Sequence, residues 1–380
     1  MTALWTSDNI ISSLGFTTAE NYRAVLSGRS GVTCHEGFGL PEPFMASFID
    51  RERIDEAFAT MRGGAYTHLE KAAILSVARA AEEAGLDLAA PRVQFFFSST
   101  KGNVARLEEA PGAGGEGIYL WHSARLVSRY FNNPNDPVVI SNACISGAAA
   151  QEVARRALVA GRCDHAVVIG VEMLSRFIIS GFQCLKALSQ EICHPFDAGR
   201  TGLNLGEAAA TVIYRRAAGG EGGIGLERGA IRNDANHISG PSRSGEGSYL
   251  ALKAVLEGVE PDSVAFINAH GTATPYNDRM EAIALTRAGL HTVPVNSLKG
   301  YFGHTLGAAG VVESILSARA LREHVVLASM GCERQEEEYP LNVAKHVTRT
   351  EKRYFVKMLS GFGGCNAALL YKRVDDGCGD

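Results

Sequence analysis

The sequence predicts a layered α/β fold, and three observations carry that prediction. Short apolar runs of strand length recur along the chain. Helical stretches with one apolar or small-residue face follow most of them, and glycine-rich turns punctuate the joins. With 46% hydrophobic residues and 42 glycines in 380, the chain can bury large cores and make many tight turns.

The elements follow in order. "YTHLEKAAILSVARAAEEAG" (66–85) predicts a helix whose apolar positions are Leu69, Ala72, Ala73, Val77 and Ala80. It leads into "RVQFFFSS" (92–99), read as a buried strand. "VVI" (138–140) reads as a second, fully buried strand. After it, "GAAAQEVARRALVAG" (147–161) reads as a helix with an apolar face at Val153, Ala157, Leu158 and Ala160. "HAVVIGVE" (165–172) is a further buried strand. A polar, glycine-rich break, "RRAAGGEGG" (215–223), then starts a second series. It holds "VAFINAH" (264–270), a helix over 279–289, "TVPVNS" (292–297), a helix over 308–323, and late strands at 353–360 and 367–373. This alternation predicts mostly parallel sheets. Each series places a small-residue turn after a buried strand, so the chain divides into two similar halves, 1–217 and 218–380.

Composition narrows the function. A net charge of −4 gives no basic footprint for nucleic acid. The start, "MTALWTSDNIISSLG", has neither the basic segment nor the apolar core of a secretory signal, and nowhere do 18 apolar residues run together. The eight cysteines are scattered without a C-x-x-C pair and are expected to be reduced, in a cytoplasmic protein. No C-x2-4-C or H-x3-5-H spacing suggests a metal, and no G-x-G-x-x-G opens a helix after a strand. Neither a metal nor another cofactor is expected.

Three polar side chains sit in unusual company. Cys144, in "SNACISGAAA" (141–150), lies between a strand and a helix start. It is either an ordinary buried thiol or a nucleophile whose thiolate is stabilised by unpaired N–H groups and the helix dipole. His270, in "NAHGTATP" (268–275), follows a strand and opens a glycine- and proline-punctuated turn. His304, in "SLKGYFGHTLGAAG" (297–310), stands beside Gly303, five residues after Lys299 and before the helix carrying Glu313. A cysteine protease also pairs Cys with His, but gives no reason for a second glycine-flanked histidine near a lysine. One nucleophile and two donors or bases on separate loops suit acyl transfer.

The residues resemble a known family. The blocks "NACISGA", "PFDAGRTGLNLGEAAA" (195–210), "NAHGTATPYND" (268–278), "NSLKGYFGHTLGAAGVVES" (296–314) and "GFGG" (361–364) stand in the order found in β-ketoacyl-acyl carrier protein synthases. These are the Cys-His-His branch of the thiolase-like condensing enzymes. The resemblance runs from residue 12 to residue 373. It implies a thiolase-like five-layered α-β-α-β-α sandwich of two similar halves. It also implies condensation of an enzyme-bound acyl group with malonyl-acyl carrier protein, releasing carbon dioxide.

Roles are implied position by position. Cys144 matches the nucleophile, and His270 and His304 the pair that binds the malonyl thioester and stabilises its enolate. Lys299 matches the lysine behind the second histidine, Glu313 the acid on the following helix that orders this network, and Phe362 the mobile phenylalanine gating the nucleophile. The backbone N–H groups of Cys144 and Phe362 would form the oxyanion hole. The implied partners are an acyl carrier protein with phosphopantetheine-linked groups and a second subunit, as a homodimer or as a heterodimer with a ketosynthase-like chain. Arg62, Lys71, Arg155, Arg156 and Arg200 are the candidate docking cations. The start looks short, missing most of the usual first strand, Cys365 replaces a usual threonine, and Thr201 replaces a frequent aspartate. These departures point toward a specialised polyene or polyketide pathway as well as fatty acid synthesis. Two other readings stand beside this one: a non-catalytic chain-length partner of another ketosynthase, and a degradative thiolase.

Overall fold

Ten strands form one continuous sheet that is two five-stranded sheets joined edge to edge. In chain order they are β1 (Ala3–Ser12), β2 (Val93–Ser98), β3 (Val138–Ile140), β4 (His165–Glu172) and β5 (Ala208–Arg216), then β6 (Gly223–Asn233), β7 (Val264–Asn268), β8 (Val295–Asn296), β9 (Tyr354–Gly361) and β10 (Cys365–Val374). The structure, a computed structural model, describes residues 2–38, 40, 42–109, 115–217 and 221–374. Cys378 and residues 218–220 of the glycine-rich break lie outside these.

The spatial order is β3-β2-β4-β5-β1 for one sheet and β6-β10-β9-β7-β8 for the other. From β1 outward, the neighbours pair antiparallel, antiparallel, parallel, parallel. From β6 outward the sequence of directions is the same. The join is a short antiparallel contact in which Ala3 faces Leu226 and Leu4 faces Gly225. The expectation of mostly parallel sheets is therefore corrected: five of the nine neighbour pairs are antiparallel. β9 and β10 show the reason, since a tight turn at residues 362–364 joins them with no crossover helix between.

Helices supply the other layers. Helix His68–Ala84 covers the outer face of β1, β5 and β4. Its start is fixed by a capping box between Thr67 and Glu70, and its end by Gly85 in the left-handed region. Helices Glu246–Val255 and Pro275–Arg287 lie on the far side of the second sheet. Between the sheets lie helices Ser146–Val159 and Ala309–Arg322, each touching strands of both. The result is the α-β-α-β-α layering.

Three local readings are corrected. The first strand is present as a ten-residue element, nine of whose residues pair along β5 with the register broken at Thr6. "VVI" is the edge strand β3, with Val138 39% exposed, so the apolar run marks an open edge and not a buried centre. In helix Ser146–Val159 only Leu158 of the four expected face positions is buried. Ala148, Gln151, Glu152 and Ala154 face inward instead. A helix squeezed between two sheets selects small residues and paired polar ones, which a hydrophobicity pattern does not register. Gly147 and Gly310 let the two central helices touch. A Cβ on Gly147 would lie 3.0 Å from the Gly307 carbonyl oxygen, and one on Gly310 would meet the Ala148 amide. Among the described residues no helix is long and apolar enough to cross a membrane.

Candidate active site

The loops feeding the two central helices carry Cys144 and His304, and the loop after β7 carries His270. Cys144 lies just ahead of helix Ser146–Val159 and is 7% exposed. The turn that presents it is tight, with Ala143 at φ +46°. Ser146 knits it together: its hydroxyl accepts from the Asn142 N–H at 2.8 Å and donates to the Ala143 carbonyl at 2.6 Å.

His304 precedes helix Ala309–Arg322. Its N–H donates to the Asn204 carbonyl at 2.6 Å and its carbonyl accepts from Gly206 at 3.0 Å, so the 195–210 block holds it in place. Gly303, at φ +65°, is required there because a Cβ would press on the Leu205 carbonyl. The Leu306 N–H donates to His304 Nδ1 at 3.3 Å, which leaves the ring proton on Nε2. His270 lies past the end of β7. Its N–H and that of Gly271 both donate to the Glu281 carboxylate at 2.7 Å, from helix Pro275–Arg287.

These loops bring the thiol sulfur and a nitrogen of each imidazole within 4.8 Å of one another. The two rings are edge to face, with centroids 5.0 Å apart. Behind them lies a buried charged trio. Glu313 accepts from Lys299 Nζ through one carboxylate oxygen and pairs through the other with Lys357 Nζ at 2.5 Å. Both lysines are fully buried. Lys357 also donates to the Ala269 carbonyl at 3.1 Å, tying the trio to the His270 loop.

Burial and these charges set the protonation states. Burial, then the Lys299 charge, pushes both imidazoles well below their ordinary range, so both are neutral. Burial pushes the Cys144 thiol up to about 12, with Cys365 adding to the effect and Lys299 and Lys101 opposing it. The expected thiolate-stabilising helix terminus is therefore outweighed at rest. Burial would raise the Glu313 carboxyl too, but the two ammonium groups hold it below its usual value.

A cavity of about 520 Å³ reaches the site, lined by Cys144, His270, His304 and Phe362. Phe362 is 40% exposed and stacks on Phe182 with centroids 5.8 Å apart. Cys365, at the end of the same turn, donates to the Phe362 carbonyl at 3.4 Å. None of the five candidate docking cations lines the cavity. Arg62 donates to the Tyr130 carbonyl, Lys71 pairs with Asp55 at 2.7 Å, and Arg155 and Arg156 both pair with Glu152. The Arg200 side chain is 4% exposed and pairs with Glu336 at 2.7 Å and with Asp278 at 3.7 Å. Lys186, exposed and at the cavity wall, was not singled out from sequence. Lys357 and Glu281 were also missed. A lone lysine inside the apolar run "YFVKMLS" is the signal for the first.

Family models described as "Beta-ketoacyl synthase, N-terminal domain" and "Beta-ketoacyl synthase, C-terminal domain" match residues 42–218 and 226–333. The chain is 28% identical to the 3-oxoacyl-[acyl-carrier-protein] synthase 2 of Vibrio cholerae, over 97% of this chain and 98% of that one. It is 35% identical to the protein of the same name from Rhizobium meliloti, over 63% and 61%. A ketosynthase solved in complex with its chain length factor, from Xenorhabdus doucetiae, superimposes with a TM-score of 0.86 at 23% identity, over 98% of each chain. At that identity the likeness concerns the fold.

Proposed function

This chain belongs to the β-ketoacyl synthase family, and from that premise we propose how its own residues divide the reaction. The protein is an acyltransferase that condenses an acyl group with malonyl-acyl carrier protein, giving 3-oxoacyl-carrier protein and carbon dioxide. The acyl donors belong to fatty acid or polyketide synthesis. The observation that carries the assignment of roles is the convergence of Cys144, His270 and His304, whose reactive atoms lie within 4.8 Å of one another in the wall of one cavity.

In the first half-reaction the Cys144 sulfur attacks the acyl thioester carbonyl while a neutral imidazole takes the thiol proton. The C–S bond to the carrier's phosphopantetheine breaks, and that sulfur leaves as a thiol once protonated. The N–H groups of Cys144 and Phe362 hold the oxyanion, each worth roughly 3 kcal/mol of barrier. In the second, His304 Nε2–H and His270 hold the malonyl thioester oxygen as carbon dioxide departs. The resulting enolate carbon attacks the Cys144 thioester, forming the new C–C bond as the C–S bond to Cys144 breaks, and the released sulfur takes up a proton from solvent. Lys299, Lys357 and Glu313 are positioning residues that keep both histidines neutral and their loops in place. Phe362 closes the cavity until an acyl chain displaces it.

The chain divides functionally near residue 217 into a half carrying the nucleophile and a half carrying both histidines. It works in the cytoplasm as a dimer. The support is the open edge of β3, where Val138 and Val153 are exposed beside a groove of about 610 Å³, while the opposite sheet edge at β8 is covered by Val343. The test of the central assignment is acyl loading. Incubation with acyl-carrier protein should add one acyl mass that peptide mapping places on Cys144. Loading at Cys163 or Cys184 would overturn it.

A further inference from the structure

We propose that Cys144, His270 and His304 also form a binding site for a thiophilic divalent cation, of which Zn²⁺ is the fitting example, and that its occupancy blocks acyl loading. The inference uses the same three side chains as the reaction but does not depend on the roles assigned to them. The first observation is geometric: one sulfur and two imidazole nitrogens lie within 4.8 Å of one another, all buried. A tetrahedral zinc ion has Zn–N of about 2.0–2.1 Å and Zn–S of about 2.3 Å, so its ligands stand roughly 3.3–3.7 Å apart. Closing the present spacing takes about 1 Å of side-chain rotation, and the cavity leaves room for it.

The second observation is independent. His270 Nδ1 and His304 Nε2 are buried without a hydrogen-bond partner among the described residues, on side chains 3% and 1% exposed. Buried polar nitrogens are normally paired, and lone ones beside a thiol suit a borderline-soft cation. The His304 ring stays neutral and keeps its proton: it turns to offer its other nitrogen, or its proton passes from Nε2 to Nδ1 as the Leu306 N–H contact opens. The ligands come from three distant segments, which is why no sequence spacing signalled them. Three protein ligands also leave a fourth position facing the cavity for water, the arrangement of an accessible zinc site and not of a closed structural one.

The binding step balances simply. The Cys144 S–H bond breaks, the sulfur takes the cation, and one proton leaves to solvent. No electron moves. Lys299 and Lys357 stand behind the site, paired with Glu313 and with Glu281 acting on Lys357, and the two ammonium groups keep affinity below that of a dedicated zinc site. An acylated Cys144 has no thiolate to offer, so acyl chain and cation exclude each other.

The test uses the full-length reduced protein, stripped with chelator and titrated with Co²⁺ as the spectroscopic probe. One equivalent should give a thiolate-to-cobalt charge-transfer band with intense visible bands, and Zn²⁺ should displace both. Zn²⁺ should also slow acyl-enzyme formation at least about tenfold, with recovery on adding EDTA. Cys144→Ser should lose the charge-transfer band, and so should wild-type protein carbamidomethylated at Cys144, which guards against a misfolded variant. His270→Asn and His304→Asn should each weaken Co²⁺ at least about tenfold. Absence of the band in wild type, or its survival after Cys144 is blocked, would overturn the site. Neither result touches the acyl-loading map, so the two assignments fail separately.

Discussion

The protonation state of Cys144 at rest decides how its sulfur is activated. Two effects compete at the head of helix Ser146–Val159. A helix N-terminus stabilises a nearby anion by about 0.3–1 kcal/mol, reaching about 2 kcal/mol in partly buried geometry. Burial acts the other way and wins, taking the thiol from its ordinary 9.0 up to about 12. Three units correspond to about 4 kcal/mol. At pH 7 that leaves on the order of one thiolate in 10⁵, against a few per cent for a free thiol. The sign follows from the shift: an acid whose pKa is raised stays protonated through the neutral range, and its thiolate share grows about tenfold per pH unit. Iodoacetamide alkylation of Cys144, followed by peptide mass, should therefore rise with a slope near one from pH 6 to pH 9 and show no plateau. Lys299→Met should slow it further, because that ammonium group favours the thiolate. A plateau with a midpoint between pH 5 and pH 8 would refute the reasoning. It would mean a preformed thiolate–imidazolium pair, with the helix terminus stronger than burial.

Four further outcomes are expected. Phe362→Ala should leave stability within about 0.5 kcal/mol, since the ring is 40% exposed, yet release carbon dioxide from malonyl-carrier protein without an acyl primer. Unchanged primer dependence would retire the gate. Glu313→Gln leaves two buried ammonium groups without their anion and should cost about 3–5 kcal/mol in urea unfolding. Adding Lys357→Met should restore part of that loss, and a single variant as stable as wild type would contradict the trio. Lys186→Glu should lower kcat/KM for carrier-bound substrate and flatten its salt dependence, while an unaltered salt slope would place docking elsewhere. Val138→Lys puts a charge on the open edge of β3 and should yield monomers by sedimentation; an unshifted dimer would mean that another face pairs.

What was readable in the sequence follows from where each signal resides. Strands such as His165–Glu172 were legible end to end, because a buried strand must be apolar along its whole length. Helix His68–Ala84 was legible because one of its faces meets solvent, and all five of its expected apolar positions are buried. Helix Ser146–Val159 defeated the same method, since a helix buried on both sides carries no amphipathic stripe. There Gln151 accepts from the Tyr214 and Tyr371 hydroxyls at 2.7 Å, a polar junction that hydrophobicity counts as outward-facing. Strand direction escaped for another reason. "AAATVIYRR" (β5) and the glycine-spaced "GIGLERGAIRN" (β6) give no sign of direction in their sequence, yet each pairs antiparallel with both of its neighbours.

The site itself was legible in its reacting groups and not in its supports. Cys144, His270 and His304 stood out because each sits on a turn of glycine or small residues, where the chain can aim a side chain. Their supports are single acids or lysines on regular elements: Glu281 on a helix, Lys357 in β9, and Glu172, which accepts from the Thr100 and Gly307 N–H groups at the end of β4. A polar residue inside an apolar run is the only mark they leave. Together they set a consistent electrostatic division. The three groups facing the cavity are neutral at rest, while the three behind them are charged and carry one net positive charge. Negative charge appears only as the reaction proceeds, first on the tetrahedral oxygen and then on the enolate. Neutral donors meet it at close range, with the lysine field behind them. A resting ion pair between Cys144 and a histidine would spend that field on the ground state, so burial of the thiol serves the step in which the charge develops.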